Sequence, residues 1–279
     1  MAPVLPPAFQ LIPEWDAPAG VRAMFSLRGG GVSLPPFDSF NLGDHVRDEP
    51  AAVARNRALL AQTLGAHPVF LQQVHGNEVV SLDSLTPDGT EGDACVTAQR
   101  GLACTIMVAD CLPVLFAHDS GPVVAAAHAG WRGLAGDVQG RGVLETTLDA
   151  LEIAVRKLRP DLSGADWMDG VHAWLGPCIG PKAFEVGPEV RAAFIARQPE
   201  AQTAFRPAPD QAGASGKWLA DLPALARQRL VVRGVTRITG NDSGAAWCTV
   251  THPSQFFSHR RDAVRLGSTG RMAACIWID

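Results

Sequence analysis

The sequence predicts an α+β protein built in layers, on three observations. Short apolar or β-branched runs bounded by Gly, Pro, Asp and Ser recur along the chain. Helical apolar stripes occupy stretches of their own. Strand-rich and helix-rich regions are thus segregated, which favours α+β layers over strict βαβ alternation. In chain order, residues 51–64 read as a helix with Val53, Leu60 and Leu64 inward. Residues 69–75, 79–83, 102–109, 113–118, 122–129 and 171–175 read as strands. Residues 141–158 form a helix, because Leu144, Leu148, Leu151, Val155 and Leu158 repeat at alternating four and three. A helix over 188–198 follows. Another starts after Asp221, an N-cap residue, with Pro223 in its first turn and Leu222, Leu225, Ala226 and Leu230 on one face. Residues 199–216, rich in Ala, Pro, Gly and Asp, read as a surface loop.

At 279 residues the chain is near the upper limit for one continuous core, and a single domain is expected, with residues 1–21 as an extended N-terminal segment and a core over 22–279. Hydrophobic residues make up 47% and charged residues 19%, which excludes disorder. The net charge is −4 with Lys and Arg dispersed, so no nucleic-acid partner is expected. The N-terminus has neither the basic region nor the apolar run of a signal peptide, and no stretch spans a bilayer; a cytoplasmic protein with reduced thiols is expected. None of the six cysteines forms a CxxC pair. With no Tyr in the chain, an aromatic platform for a ligand must be Trp, Phe or His.

The run "MVADCLPVLF" places Asp110 and Cys111 inside an apolar strand-like segment, where each needs a partner. The turn signal "DSGP" joins the strands on either side into a hairpin whose paired numbers sum to 241. Pro113 then faces His128, and Cys111, two residues earlier, is a diagonal neighbour of His128 at roughly 7–8 Å between backbones. A one-residue slip would put the two on opposite faces. His75, in "LQQVHGNEV", ends a strand just before Gly76. Two His and one Cys with an open fourth position is a catalytic zinc pattern, whereas the ordinary reading of each alone is a core residue. His45, His67, His118 and His172 lie in polar or loop contexts and are not assigned to a site.

Eight motifs in order, "FSLRGGGVS", "PFDSFNLGDHV", "QVHGNEVV", "ADCLPVLF", "AAHAGWRGLAGDV", "WLGPCIGPKAFEVGPEV", "FFSHRRD" and "TGRMAACIWI", closely resemble a bacterial family. It is known both as multicopper polyphenol oxidase (laccase domain)-like and as purine nucleoside phosphorylase, and also as peptidoglycan editing factor. The resemblance runs from about residue 22 to the end. It implies a mixed β-sheet sandwich with flanking helices, similar to a toxin-like cysteine hydrolase fold. It also implies a Zn2+ held by His75, Cys111 and His128, the same three residues, which would be the catalytic set. The implied activity is phosphorolysis of adenosine, inosine and guanosine, with side activities on adenosine (deamination) and methylthioadenosine. The partners are then a nucleoside and phosphate, with no membrane, in a monomer or homodimer. Two departures stand out: His259 and Pro223 occupy positions where the family has a Tyr, and His259 becomes a candidate fourth ligand.

Phosphorolysis needs an anion site. Arg28, beside three glycines, and Arg132, four residues after His128, are the candidates for phosphate. Asn41 is a candidate for hydrogen bonds to substrate, Trp131 and Phe257 for stacking on the purine. Asp110 should point to the opposite strand face and orient a ligating His or cap backbone donors. Two other chemistries use the same residues. In a cysteine hydrolase editing peptidoglycan precursors, Cys111 would be the nucleophile and His128 the base. A laccase is disfavoured, since none of the eight His forms an HxH pair, and a blue-copper site would need an axial ligand such as Met107. The HxE and PCxxC signature of zinc deaminases is absent.

Overall fold

The computed structural model describes residues 6–162, 167–209 and 216–279. Its strands are β1 (Gln10–Leu11), β2 (Val21–Ser26), β3 (His67–Phe70), β4 (Val79–Ser81), β5 (Ala94–Thr97), β6 (Leu102–Val108), β7 (Leu112–His118), β8 (Val124–Ala129), β9 (Val171–Leu175), β10 (Glu185–Val186), β11 (Phe205–Pro207), β12 (Trp218–Ala220), β13 (Arg237–Gly240) and β14 (Met272–Ile278). The α-helices are α1 (Pro50–Leu64), α2 (Trp131–Ala135), α3 (Val143–Leu158), α4 (Pro188–Ile195), α5 (Leu222–Val232) and α6 (His259–Leu266).

Two mixed sheets, β1-β2-β14-β6-β3 and β13-β9-β7-β8-β5-β4, hold most strands, and a small β10-β12-β11 sheet stands apart. The strand period of two builds four layers. Cys104 and Ile106 of β6 face inward with Phe25 and Ile276, against Leu115, Ala126 and Trp174 of the second sheet. Their neighbours Ala103 and Met107 face outward, under Leu60 and Leu64 of α1. On the far side Val114, Phe116, Ala125 and Ala127 take the apolar stripe of α3, Leu144, Leu148, Leu151 and Val155, together with Leu225 and Leu230 of α5. Sheets covered on both faces need strands that are apolar throughout. That is why β6, β7 and β8 were legible as continuous runs.

The β7–β8 hairpin has the expected register, with Pro113 opposite His128 and Ala117 opposite Val124. Asp221 caps α5 by accepting from the Ala224 N–H at 2.9 Å.

Other expectations need correction. The strand expected over 69–75 stops at Phe70; Gln72 makes only an isolated bridge with Glu91, and the N–H groups of Val74, His75 and Gly76 go to a carboxylate, as described below. Strand 79–83 ends at Ser81, helix 188–198 ends at Ile195, and Leu158 is exposed at the end of α3. The N-terminal segment is not simply extended: Pro7–Phe9 form a 3-10 turn and β1 pairs with β2. The loop expected over 199–216 holds a 3-10 helix (Pro199–Ala204) and β11, and its residues 210–215 lie outside the described residues. His118 and His172 are buried in β7 and β9, bonded to the Trp167 carbonyl and to Asp119, each at 2.7 Å. Among the described residues, no helix is long and apolar enough to cross a membrane.

Candidate active site

His128 points to the inter-sheet side of β8, the face it shares with Val124 and Ala126. Cys111 immediately precedes β7, one step beyond the paired register, and His75 lies in the loop after β3. These three side chains bring their donor atoms within 4.8 Å of one another. The Cys111 Sγ is 3.8 Å from His75 Nε2, and the two imidazoles meet edge to face at 4.7 Å between centroids. His128 is buried, Cys111 half-buried and His75 exposed, so the cluster is open on one side, into a cavity of about 750 Å³.

Two left-handed backbones aim these groups. His75 has φ 64° and Asp110, next to Cys111, φ 92°, a region that costs free energy for non-glycine residues and persists only where surroundings impose it. For His75 the constraint is Asp93, a fully buried carboxylate. Its Oδ1 accepts from the His75 N–H (2.9 Å) and its Oδ2 from the N–H groups of Val74 (3.1 Å) and Gly76 (2.6 Å). The same Oδ1 lies 2.8 Å from His128 Nδ1. A carboxylate only accepts, so Nδ1 carries the proton and Nε2 is left as the donor atom of His128. One side chain therefore sets both the loop of one histidine and the tautomer of the other. For Asp110 the constraint is the region before and within α6: its carboxylate accepts from Thr249 Oγ1 (2.5 Å), Ser258 Oγ (3.0 Å) and the Arg260 N–H (2.6 Å).

Gly130 completes the cluster. A Cβ at this position would lie 2.9 Å from His75 Cδ2 and 3.1 Å from the Cys111 Sγ. The "HAGW" glycine thus leaves room for the two side chains.

The electrostatics fit a metal-binding thiolate. Burial opposes ionisation of Cys111, but the charge and hydrogen bond of His128, with His75 behind it, outweigh this and bring the thiol from 9.0 to about 6. Burial likewise opposes the charge on His128, yet Cys111 and Asp93 together raise it to about 9. Asp93 is held below its ordinary value against its own burial by His128 and by the Gly76 and His75 amides.

The other residues expected at the site divide. Arg132 and half-buried Trp131 line the cavity, the guanidinium lying over the indole at 4.5 Å. His259 lines it too, but it does not belong to the His75–Cys111–His128 cluster, so the structure gives no fourth ligand there. Arg28 is elsewhere. Its nitrogens bond the Asp38 and Pro253 carbonyls and the Asp38 carboxylate, at a separate surface pocket. Asn41 is fully buried and holds a turn, accepting from the Gly43 and Arg271 N–H groups. Phe257 is fully buried under Arg28 and offers no stacking face to the cavity. Asp110 does not face away on a strand, nor does it orient a histidine; it caps the α6 amide of Arg260, and the orienting carboxylate is Asp93.

Sequence reasoning missed Asp93, Gly130 and the cavity residues His45, Arg57, Arg260 and Arg271. For Asp93 a signal existed: "EGDACV" runs a carboxylate straight into an apolar strand, as "VADCLP" does.

Mixed sheets with two histidines and a cysteine gathered at one cavity make this a candidate metalloprotein. The chain belongs to the family described as multi-copper polyphenol oxidoreductase laccase, whose model matches residues 22–279. It is 46% identical over 268 residues to a purine nucleoside phosphorylase of Pseudomonas aeruginosa, covering 96% of this chain and 98% of that one. It is 46% identical over 270 residues to the purine nucleoside phosphorylase YfiH of Escherichia coli, with the same coverage. Among solved structures, a Neisseria meningitidis protein of the DUF152 family superposes with a TM-score of 0.83 at 42% identity, over 97% of this chain and 99% of that one.

Proposed function

We propose that the chain is a zinc-dependent purine nucleoside phosphorylase, a single domain acting on adenosine, inosine and guanosine. The observation that carries this reading is the near full-length similarity, at 46% identity, to relatives named purine nucleoside phosphorylase. The reaction balances with phosphate as the only co-substrate. A phosphate oxygen bonds to C1′, the C1′–N bond breaks, and its electron pair leaves with the purine, which takes up the proton of the hydrogen phosphate.

His75, Cys111 and His128 would hold the metal. One thiolate and two imidazoles are a donor set suited to zinc, and the side facing the cavity is open for substrate. When bound, the ion supplies positive charge that polarises a coordinated oxygen or nitrogen. The protein's own part is to keep the His128 proton on Nδ1 through Asp93 and to offer Trp131 as an apolar wall for the base. The family's printed description names copper, but the chain has eight His and no HxH pair to hold a multicopper cluster. Adenosine deamination and methylthioadenosine phosphorolysis are side activities of the same reading.

The test pairs metal analysis of untagged protein with phosphate-dependent release of hypoxanthine from inosine and of adenine from adenosine. One zinc per chain and activity lost on verified zinc removal are expected. Phosphorolysis that survives complete removal would sink the reading.

A second reading rests on a specific contact pattern: Cys111, His128 and Asp93 line up as nucleophile, base and orienting carboxylate of a cysteine hydrolase. Such an enzyme could act as an amidase on peptidoglycan precursors. It predicts that a chelator leaves activity intact and that His75→Ala is mild, whereas the zinc reading predicts loss of both metal and phosphorolysis in His75→Ala.

A further inference from the structure

The cavity is lined by the guanidiniums of Arg57, Arg132, Arg260 and Arg271 and by only two carboxylates, those of Asp44 and Asp110. Four against two leaves its wall at +2, in a chain whose net charge is −4. Asp110 is moreover already committed to Thr249, Ser258 and the Arg260 amide. An electropositive cavity in an acidic protein selects anions.

The strongest anion wall is made by Arg57 and Arg271. Arg271 spends one terminal nitrogen on the Thr269 and Gly270 carbonyls, at 3.0 and 3.3 Å, and has no carboxylate at ion-pair distance among the described residues. Burial pushes its guanidinium below the ordinary value, against the opposing pull of Cys111 and Asp110, so it lies close enough to the cluster to feel both charges. Arg57 donates its Nε to the Leu42 carbonyl at 2.9 Å and lies over Phe70 at 4.0 Å. One of its terminal nitrogens is buried without a hydrogen bond and makes an ion pair with the Asp44 carboxylate at 3.2 Å, and the other lies 3.9 Å from the Asp88 carboxylate. Arg271 thus keeps donors without a carboxylate partner, the buried Arg57 nitrogen lacks a well-aligned acceptor, and a tetrahedral oxyanion supplies several acceptors.

The "FNLGDH" segment builds this wall. The Asn41 side chain accepts from the Arg271 amide at 2.8 Å, and the Leu42 carbonyl anchors Arg57. Gly43 makes room: a Cβ there would lie 2.7 Å from Arg271 Cγ and 3.4 Å from His45 Cε1.

We propose that Arg57 and Arg271, positioned by Asn41, Leu42 and Gly43, form the oxyanion subsite that binds inorganic phosphate as second substrate beside the His75–Cys111–His128 cluster. This rests on the phosphorolysis reading for its use in catalysis, but not for the binding itself. It reassigns the phosphate site away from Arg28.

The experiment titrates inorganic phosphate into the zinc-loaded protein by calorimetry and measures KM for phosphate and for inosine. The variants are Arg271→Met, Arg271→Lys, Arg57→Met, Gly43→Ala and, as control, Arg28→Met. Losing a charged hydrogen-bond donor should weaken phosphate binding by about tenfold to a hundredfold in Arg271→Met and Arg57→Met. KM for inosine should stay within about threefold, since neither is asked to touch the base. Gly43→Ala should move phosphate in the same direction, Arg271→Lys should recover part of the loss, and Arg28→Met should bind phosphate like the parent. Phosphate binding unaltered in both Met variants, with zinc content intact, overturns the subsite. So does binding of inosine 5′-monophosphate that needs the two arginines while inorganic phosphate does not, because the wall would then serve a nucleotide's own phosphate. Arginine-dependent phosphate binding without any phosphorolysis supports the subsite and overturns the function proposed above. Phosphorolysis with a phosphate KM indifferent to both arginines does the reverse.

Discussion

Asp93→Asn is the most informative single change, because it keeps the shape and removes the charge of the residue that organises two of the three donors. The carboxylate takes four donors, two on each oxygen: His75 N–H and His128 Nδ1–H on Oδ1, Val74 N–H and Gly76 N–H on Oδ2. An amide has one acceptor oxygen, so whichever way it turns, one pair of donors faces an NH2 group. If the NH2 replaces Oδ1, His128 relieves the clash only by moving its proton to Nε2, the nitrogen left for a metal. If it replaces Oδ2, the Val74–Gly76 loop loses the anchor that holds His75 at φ 64°. Two charge-assisted hydrogen bonds at about 1.5–3 kcal/mol each put the loss at about 3–6 kcal/mol. For a protein with a total stability of about 5–15 kcal/mol, the variant should fold but melt early.

Calorimetry should show Tm lower by about 6–20 °C, and competition with a fluorescent chelator should show zinc bound about tenfold to a hundredfold more weakly. The two readouts are separable: the stability loss belongs to either orientation, the affinity loss to the histidines. A variant whose zinc affinity matches the parent would refute the claim that Asp93 sets the His128 tautomer. A Tm within about 1 °C of the parent would refute the claim that its hydrogen bonds hold the loop.

Gly130→Ala should fold normally, since φ −64° and ψ 157° suit alanine, yet lose zinc affinity by about tenfold or more because its Cβ crowds His75 and Cys111; equal affinity by chelator competition would show that the cluster has slack. In metal-stripped protein, Cys111 should alkylate at neutral pH with a rate that inflects near 6, not 9.0, and zinc should suppress the reaction. The depressed thiol gains its contribution as pH rises from about 6 to 9.0, and the raised His128 loses its own as pH rises from 6.5 to about 9, so the two slopes offset and the pair should leave the metal-free protein's stability nearly flat across this range, as calorimetry across pH checks.

Much of this molecule was legible because its apolar periodicities are strong. The α3 stripe, the Asp221 cap and the β7–β8 register all follow from local rules, and the register brings His128 opposite Pro113, next to the start of β7 where Cys111 sits. What escaped was decided by residues far apart in sequence. The strand expected through His75 gives way to a loop after Phe70, and the His75 amide goes to Asp93, 18 positions on, instead of to a ladder partner. Arg28 and Asn41 sit in motifs that look like ligand contacts, yet their donors and acceptors are taken up by the Asp38, Pro253, Gly43 and Arg271 backbones. Charge dispersed along the sequence likewise gave no hint that Arg57, Arg132, Arg260 and Arg271 would meet at one cavity.

The two strained backbones at this site are each held by a carboxylate, and this explains the Asp-Cys pair in the apolar run. At Asp110 the side chain turns away from Cys111 to tie β7's start to Thr249, Ser258 and α6, and the left-handed φ swings the chain so that Cys111 enters the cavity. At His75 the carboxylate comes from the residue just before β5, but the device is the same: a buried anion gathers backbone donors and fixes a turn that the local sequence does not favour. The hydrogen bonds that fix the His75 and Asp110 backbones use none of the three candidate donor atoms. A site assembled only by its ion would leave His75 and Cys111 on loops free to relax, and would have no need of two buried aspartates, at 0% and 7% exposure, to hold them in place.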